Sequence, residues 1–150
     1  MDDIRKIVLP DSNQSRADRD IAYRCMHLTV ENLIHANVGR VFLVATYSRK
    51  EPREWLGSLA EKAASDVYVI ACKVSPDVAV ARFRCRKPGH AAVNLDEDRV
   101  RREAAEYVYT GATVVDTETT IEANVVQAER YVCTGEPVDV QSWASHGSPR

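Results

Sequence analysis

The hydrophobic pattern is densest between Val38 and Ala63. An unbroken apolar run, Val41-Phe42-Leu43-Val44-Ala45, gives way to Thr46-Tyr47-Ser48-Arg49-Lys50. Trp55, Leu56, Leu59, Ala60 and Ala63 then recur three and four residues apart. A continuous apolar run predicts a strand buried on both faces, and the three-and-four spacing predicts an amphipathic helix. Ligands of open α/β sheets sit beyond the carboxyl ends of the strands. Thr46 to Lys50 is therefore the first place to look for a site.

The rest of the chain continues the alternation. Met1 to Lys6 is a short charged start, and Pro10 to Asn13 is turn chemistry. A helix is predicted from Ser15, as its cap, to Ala36, with Ala22, Met26, Thr29, Leu33 and Ala36 on its inner face. Ile21, Cys25 and Leu28 widen that face, and Asn37 and Gly39 end the helix. Val67 to Cys72 reads as a second buried strand. Ser75-Pro76-Asp77 opens a helix that breaks at Lys87-Pro88-Gly89-His90, followed by a loop to Leu95. Asp96 caps a helix through Tyr109 with Val100, Ala104, Tyr107 and Val108 inward, and Gly111 stops it. Ala112 to Asp116 is a third strand, and Thr119 or Thr120 starts a helix to about Cys133. The expected fold is α/β, a three-layer parallel sheet with helices on both faces. Residues 1–134 form one domain, and residues 135–150 a polar, flexible tail.

Composition narrows the class. The chain has 150 residues, 28% charged and 45% hydrophobic, with a formal net charge of -2. These totals exclude a disordered chain and a uniformly basic nucleic-acid binder. No apolar run approaches a membrane span, and the acidic start has no signal-peptide core, so a cytoplasmic protein is expected. Cys25, Cys72, Cys85 and Cys133 form no closely spaced pair, and the four histidines add none. Four reduced thiols and no metal site are expected, with Cys72 in the core.

The order of motifs resembles a small P-loop kinase of the polynucleotide kinase and gluconate kinase type, with zeta-toxin-like and AAA-type ATP-binding relatives. Asp2-Asp3-Ile4-Arg5-Lys6 resembles that family's Ser-Asp-x-hydrophobic-Arg segment. Val41 to Arg53 resembles its third strand with Ala-Thr and a following arginine, and Arg82 to Arg86 its arginine-bearing helix and lid. Val114-Val115-Asp116-Thr117 resembles its last strand. The resemblance implies ATP-dependent phosphoryl transfer to a hydroxyl of a small molecule or a nucleic-acid end, with ATP and Mg as cofactors. It also implies Asp2 as general base and Arg86 as stabiliser of the transferring phosphoryl group. Arg5, Thr46, Arg49 and Arg53 would then bind the acceptor, and Arg82 and Thr117 the nucleotide. From the residues alone, Arg82 and Arg86 are equally readable as a solvated basic face, and Ser48 as a helix cap.

Two departures qualify what the resemblance implies. The family's cradle is G-x-x-x-x-G-K-S/T, and none of the six glycines, Gly39, Gly57, Gly89, Gly111, Gly135 and Gly147, opens such a loop. Val44 stands where relatives often carry a magnesium-positioning aspartate. The expectation is an N-terminally truncated kinase-like domain, inactive alone. The alternative is a non-catalytic binding or assembly module that completes its sheet with a partner strand or in a homo-oligomer. A weaker idea is nucleic-acid contact through Arg82, Arg84, Arg86 and Lys87.

Overall fold

The structure, a computed structural model, describes residues 2–12, 15–86, 95–107 and 112–145. The chain divides into two compact units, residues 1–65 and 66–150.

The first unit is helical. α1 (Asp2–Val8) packs on α2 (Arg16–His35), and α2 packs on α3 (Lys50–Lys62). Ser15 caps α2 as expected, its side chain accepting from the Asp18 amide at 3.1 Å. α2 and α3 close in the same way. Beyond α2, the Asn37 and Val38 amides donate to the Ile34 and Leu33 carbonyls. Beyond α3, the Ala64 and Ser65 amides donate to Glu61 and Ala60. This double bond needs a left-handed residue just past the cap. Asn37 (φ 58°) and Ala64 (φ 47°) fill that role. The core is Ala22, Tyr23, Met26, Val30, Leu56, Leu59 and Ala60, with Arg5, His27 and Arg53 buried among the polar residues.

Two expectations and one alternative reading fail in this unit. Residues 38–47 belong to no strand, with Phe42 79% and Val44 81% exposed and Val41, Leu43 and Ala45 half-buried. An apolar run becomes a doubly buried strand only where neighbours cover both faces, and here alternate side chains face outward. The buried face of α2 runs through Tyr23, His27 and Val30 as well as Ala22 and Met26, while Ile21, Leu28 and Thr29 are exposed. Tyr and His carry apolar bodies behind polar tips, so they fill core positions once the tips are bonded. Ser48 does not cap α3; Arg49 occupies the cap position without a side-chain cap bond.

The second unit is α/β. β1 (Ile70–Lys73) and β2 (Thr113–Asp116) pair in parallel, Ile70 opposite Thr113 and Lys73 opposite Asp116. Parallel neighbours need a crossover, and α4 (Pro76–Arg84) and α5 (Glu97–Glu106) lie in it, packed on each other. Arg84 forks onto Glu97 at 2.7 and 2.5 Å, which holds the Glu97 carboxyl below its usual range. α6 (Ile121–Thr134) packs on β2 and is followed by α7 (Val140–Ser145). Asp96 caps α5 and Thr120 caps α6, as expected. Val80, Val115, Trp143 and Ala144 are buried.

The sheet has two strands among the described residues, not three. Cys72 is exposed where a core position was expected, because the sheet face it projects from is not covered there. All four cysteines are free. The polar segment after Gly135 contains a helix, α7, because Trp143 and Ala144 give it a face to bury. The helix break at 87–90, the loop from 91, Val108 and the stop at Gly111 lie outside the described residues. No described helix is long and apolar enough to cross a membrane.

Candidate functional site

The turn after the apolar run of the first unit is built around Tyr47, which sits at φ 43°. Left-handed backbone is costly for a bulky residue and persists only where the surroundings hold it. Three contacts do so. The Tyr47 amide donates to the Tyr23 hydroxyl at 3.2 Å, and Arg53 Nη1 donates to the Tyr47 carbonyl at 2.9 Å. The Tyr47 hydroxyl lies 2.8 Å from His27 Nε2. The His27 and Tyr47 rings are stacked at 5.9 Å with 12° between planes, and Tyr23 tilts against Tyr47 at 5.3 Å. Burial lowers the His27 pKa to about 4, so the imidazole is neutral at pH 7. Burial, with Tyr23 beside it, raises the Tyr47 pKa above its ordinary value, so the phenol stays protonated.

Beside this clamp, α2 and the start of α3 face each other through three contacts at helical spacing. Arg16 pairs with Glu51 at 2.6 Å, Asp20 with Arg49, and Arg24 lies 4.9 Å over the Trp55 ring. The backbone bond at the helix start, more than Arg16, holds the Glu51 carboxyl below its usual range.

In the second unit the carboxyl ends of β1 and β2 carry the polar groups. Arg82 of α4 donates to Thr117 Oγ1 at 2.8 Å and to the Thr117 carbonyl at 2.5 Å. Thr117 Oγ1 in turn donates to the Lys73 carbonyl at 2.8 Å. The Ser75 amide donates to Glu118 at 2.5 Å.

The structure therefore brings together Thr46, Arg49 and Arg53 around one turn, and Arg82 with Thr117 at one strand end. Arg53 is buried, Arg49 is half-buried and Thr46 is exposed with its hydroxyl 3.4 Å from that of Tyr23. Arg5 is buried within α1. Asp2 begins α1. The Arg86 guanidinium lies 5.5 Å over the ring of Phe83. Sequence reasoning pointed to the segment that holds Tyr47 and missed Asp20, Tyr23 and His27. The signal was present: Asp20, Tyr23 and His27 are three and four residues apart, so one face of α2 can present all of them.

ATP with Mg does not fit what these residues provide. A triphosphate needs backbone amides opened by glycine and a lysine on the β- and γ-phosphates. The segments that follow β1 and β2, residues 74–75 and 117–120, contain no glycine, and the Ser75 amide is already occupied by the Glu118 carboxylate.

A family model described as an AAA domain matches residues 1–110. Comparison with curated proteins finds no match, and neither does comparison with solved structures.

Proposed function

The chain belongs to the AAA domain family of P-loop NTPase-like proteins, and from that premise we propose that residues 1–150 carry the acceptor side and the nucleotide-base side of a phosphotransferase. The reaction is transfer of phosphate from ATP to a hydroxyl of a small molecule or a nucleic-acid end. It requires a phosphate cradle that these residues do not contain, so this chain alone does not turn over. The observation that carries the reading is the buried Arg53, which fixes the backbone of the Thr46-Tyr47-Ser48-Arg49 turn at the place where the family resemblance puts acceptor binding. Arg5, Thr46 and Arg49 complete the acceptor side, and Arg82 and Thr117 the base side. Asp2 and Arg86 are assigned as base and charge stabiliser only when the cradle is present.

The test mixes the full 150-residue chain with ATP-Mg and two acceptor classes, polyols and oligonucleotides with a free 5′-hydroxyl. The expected result is acceptor binding that weakens on Arg49→Gln, no transfer, and an ATP dissociation constant of about millimolar or weaker. A micromolar constant, or turnover by this chain alone, overturns the reading.

A second reading is favoured by the exposed Phe42 and Val44 in a segment that belongs to no strand. An apolar segment outside any sheet can add to the edge of a strand in another chain. In this reading the chain is an assembly module, and residues 41–45 pair with a strand of a second copy. Sedimentation showing a monomer at high concentration excludes it.

A further inference from the structure

The Asp20–Arg49 pair leaves half of its guanidinium unused. Nη2 of Arg49 goes to Asp20, while Nη1 is buried and has no hydrogen-bond partner. The two side chains are 27% and 29% exposed, so the pair is largely shielded from water. A guanidinium matches a carboxylate or phosphate through two parallel N–H bonds, and a single bond leaves that geometry incomplete. An unsatisfied buried donor is unfavourable, and it marks where an acceptor oxygen belongs. The neighbouring carboxylates do not supply it: Glu51 is paired with Arg16 and Glu54 with Lys50 at 3.1 Å. Arg53, one helical turn along, adds a second buried cation on the same segment.

We propose that Asp20 is a built-in stand-in for a phosphate group of the acceptor, which displaces it and takes both N–H groups of Arg49. This rests on the reading of residues 46–53 as the acceptor side, and it specifies the acceptor as a phosphate monoester bearing the hydroxyl to be phosphorylated. Asp20 thus acts as a specificity gate. A neutral acceptor cannot replace a carboxylate on a shielded arginine, whereas a dianion can. No bond is made or broken in this exchange; one anion replaces another on the same guanidinium.

The experiment titrates inorganic phosphate into the full chain at pH 7 and constant ionic strength, followed by amide chemical shifts. Phosphate should bind Asp20→Asn on the order of 10-fold more tightly than the wild type, because one opposing charge is gone. Asp20→Ser should show the same gain, and Arg49→Gln in either background should abolish it. Acetate should reproduce less of it. No gain in either Asp20 variant, or a gain that survives Arg49→Gln, overturns the stand-in. If the gain is absent while acceptor binding still depends on Arg49, the acceptor reading stands and only the stand-in falls. If neither binding nor gain involves Arg49, both fall.

Discussion

His27 Nε2 lies 2.8 Å from the Tyr47 hydroxyl, and this bond joins the middle of α2 to a turn held at positive φ. His27 Nδ1, on the other side of the ring, is buried with no hydrogen-bond partner. Protonating the imidazole would place a charge where only one of its two donors has a neighbour. Burial therefore lowers the pKa from 6.5 to about 4.

That shift sets a pH dependence. Between pH 4 and 6.5 the unfolded chain binds the extra proton and the folded chain does not, so stability rises with pH across this window. The contribution is complete above pH 6.5 and is lost as pH falls through about 4. Thermal melts by circular dichroism should show a midpoint that drops over this range. His27→Gln should have a flatter profile there, whatever its absolute stability. Parallel profiles would mean that His27 does not titrate against folding.

Ala64 is the left-handed residue past α3, where glycine is the usual choice. Its methyl makes φ 47° unfavourable, and glycine removes that cost while losing some unfolded-state restriction. Ala64→Gly should stabilise the protein by about 0.5–1 kcal/mol in urea titrations. Asn37→Gly should do less, since asparagine already tolerates this conformation. A destabilised Ala64→Gly variant would show that the cap geometry is wrong.

Phe42 and Leu43 are adjacent in sequence and unequal in environment. Phe42 is 79% exposed, so Phe42→Asp should change stability by no more than about 0.5 kcal/mol. Leu43 is half-buried, and Leu43→Asp should cost about 1–3 kcal/mol. If the assembly reading holds, Phe42→Asp will also abolish self-association in sedimentation velocity. Equal costs at the two positions would mean that residues 41–45 are covered on both sides after all.

How much of this was legible in the sequence follows from how local each feature is. The caps at Ser15, Asp96 and Thr120 and the helix start at Ser75-Pro76 act within one helical turn, and the structure has them where expected. The parallel pairing of β1 and β2 was legible from the helices between them. The environment of Val41 to Ala45 was not, because burial of a strand depends on neighbours that the run itself does not encode. The same holds for Cys72, whose exposure reflects a sheet face left uncovered at that position. In the candidate site, Arg49, Arg53, Arg82 and Thr117 were named from the resemblance of their segments to the family's motifs. His27 and Asp20 were not, since their roles exist only once α2 lies beside the turn that follows residue 45.

Thr117 is the hinge of the second unit's polar edge, and its hydroxyl is already engaged on both sides. It donates to the Lys73 carbonyl at 2.8 Å and accepts from Arg82 at 2.8 Å. Arg82 also donates to the Thr117 carbonyl at 2.5 Å, so one guanidinium spans a side chain and its own backbone. Lysine cannot form that fork. Thr117→Val keeps the shape and removes both hydroxyl bonds, and should cost about 1 kcal/mol. Arg82→Lys alone should cost about 0.5 kcal/mol, because the contact is exposed. In a double-mutant cycle by urea unfolding, the coupling between the two changes should be about 0.5 kcal/mol, since each removes part of the same contact. Their effect on ligand binding follows from the same geometry. Arg82 and Thr117 together form the proposed base side, so Arg82→Lys should weaken adenosine binding measured by titration. Zero coupling, together with adenosine binding unchanged by Arg82→Lys, would show that the Arg82–Thr117 contact does not govern this edge in solution.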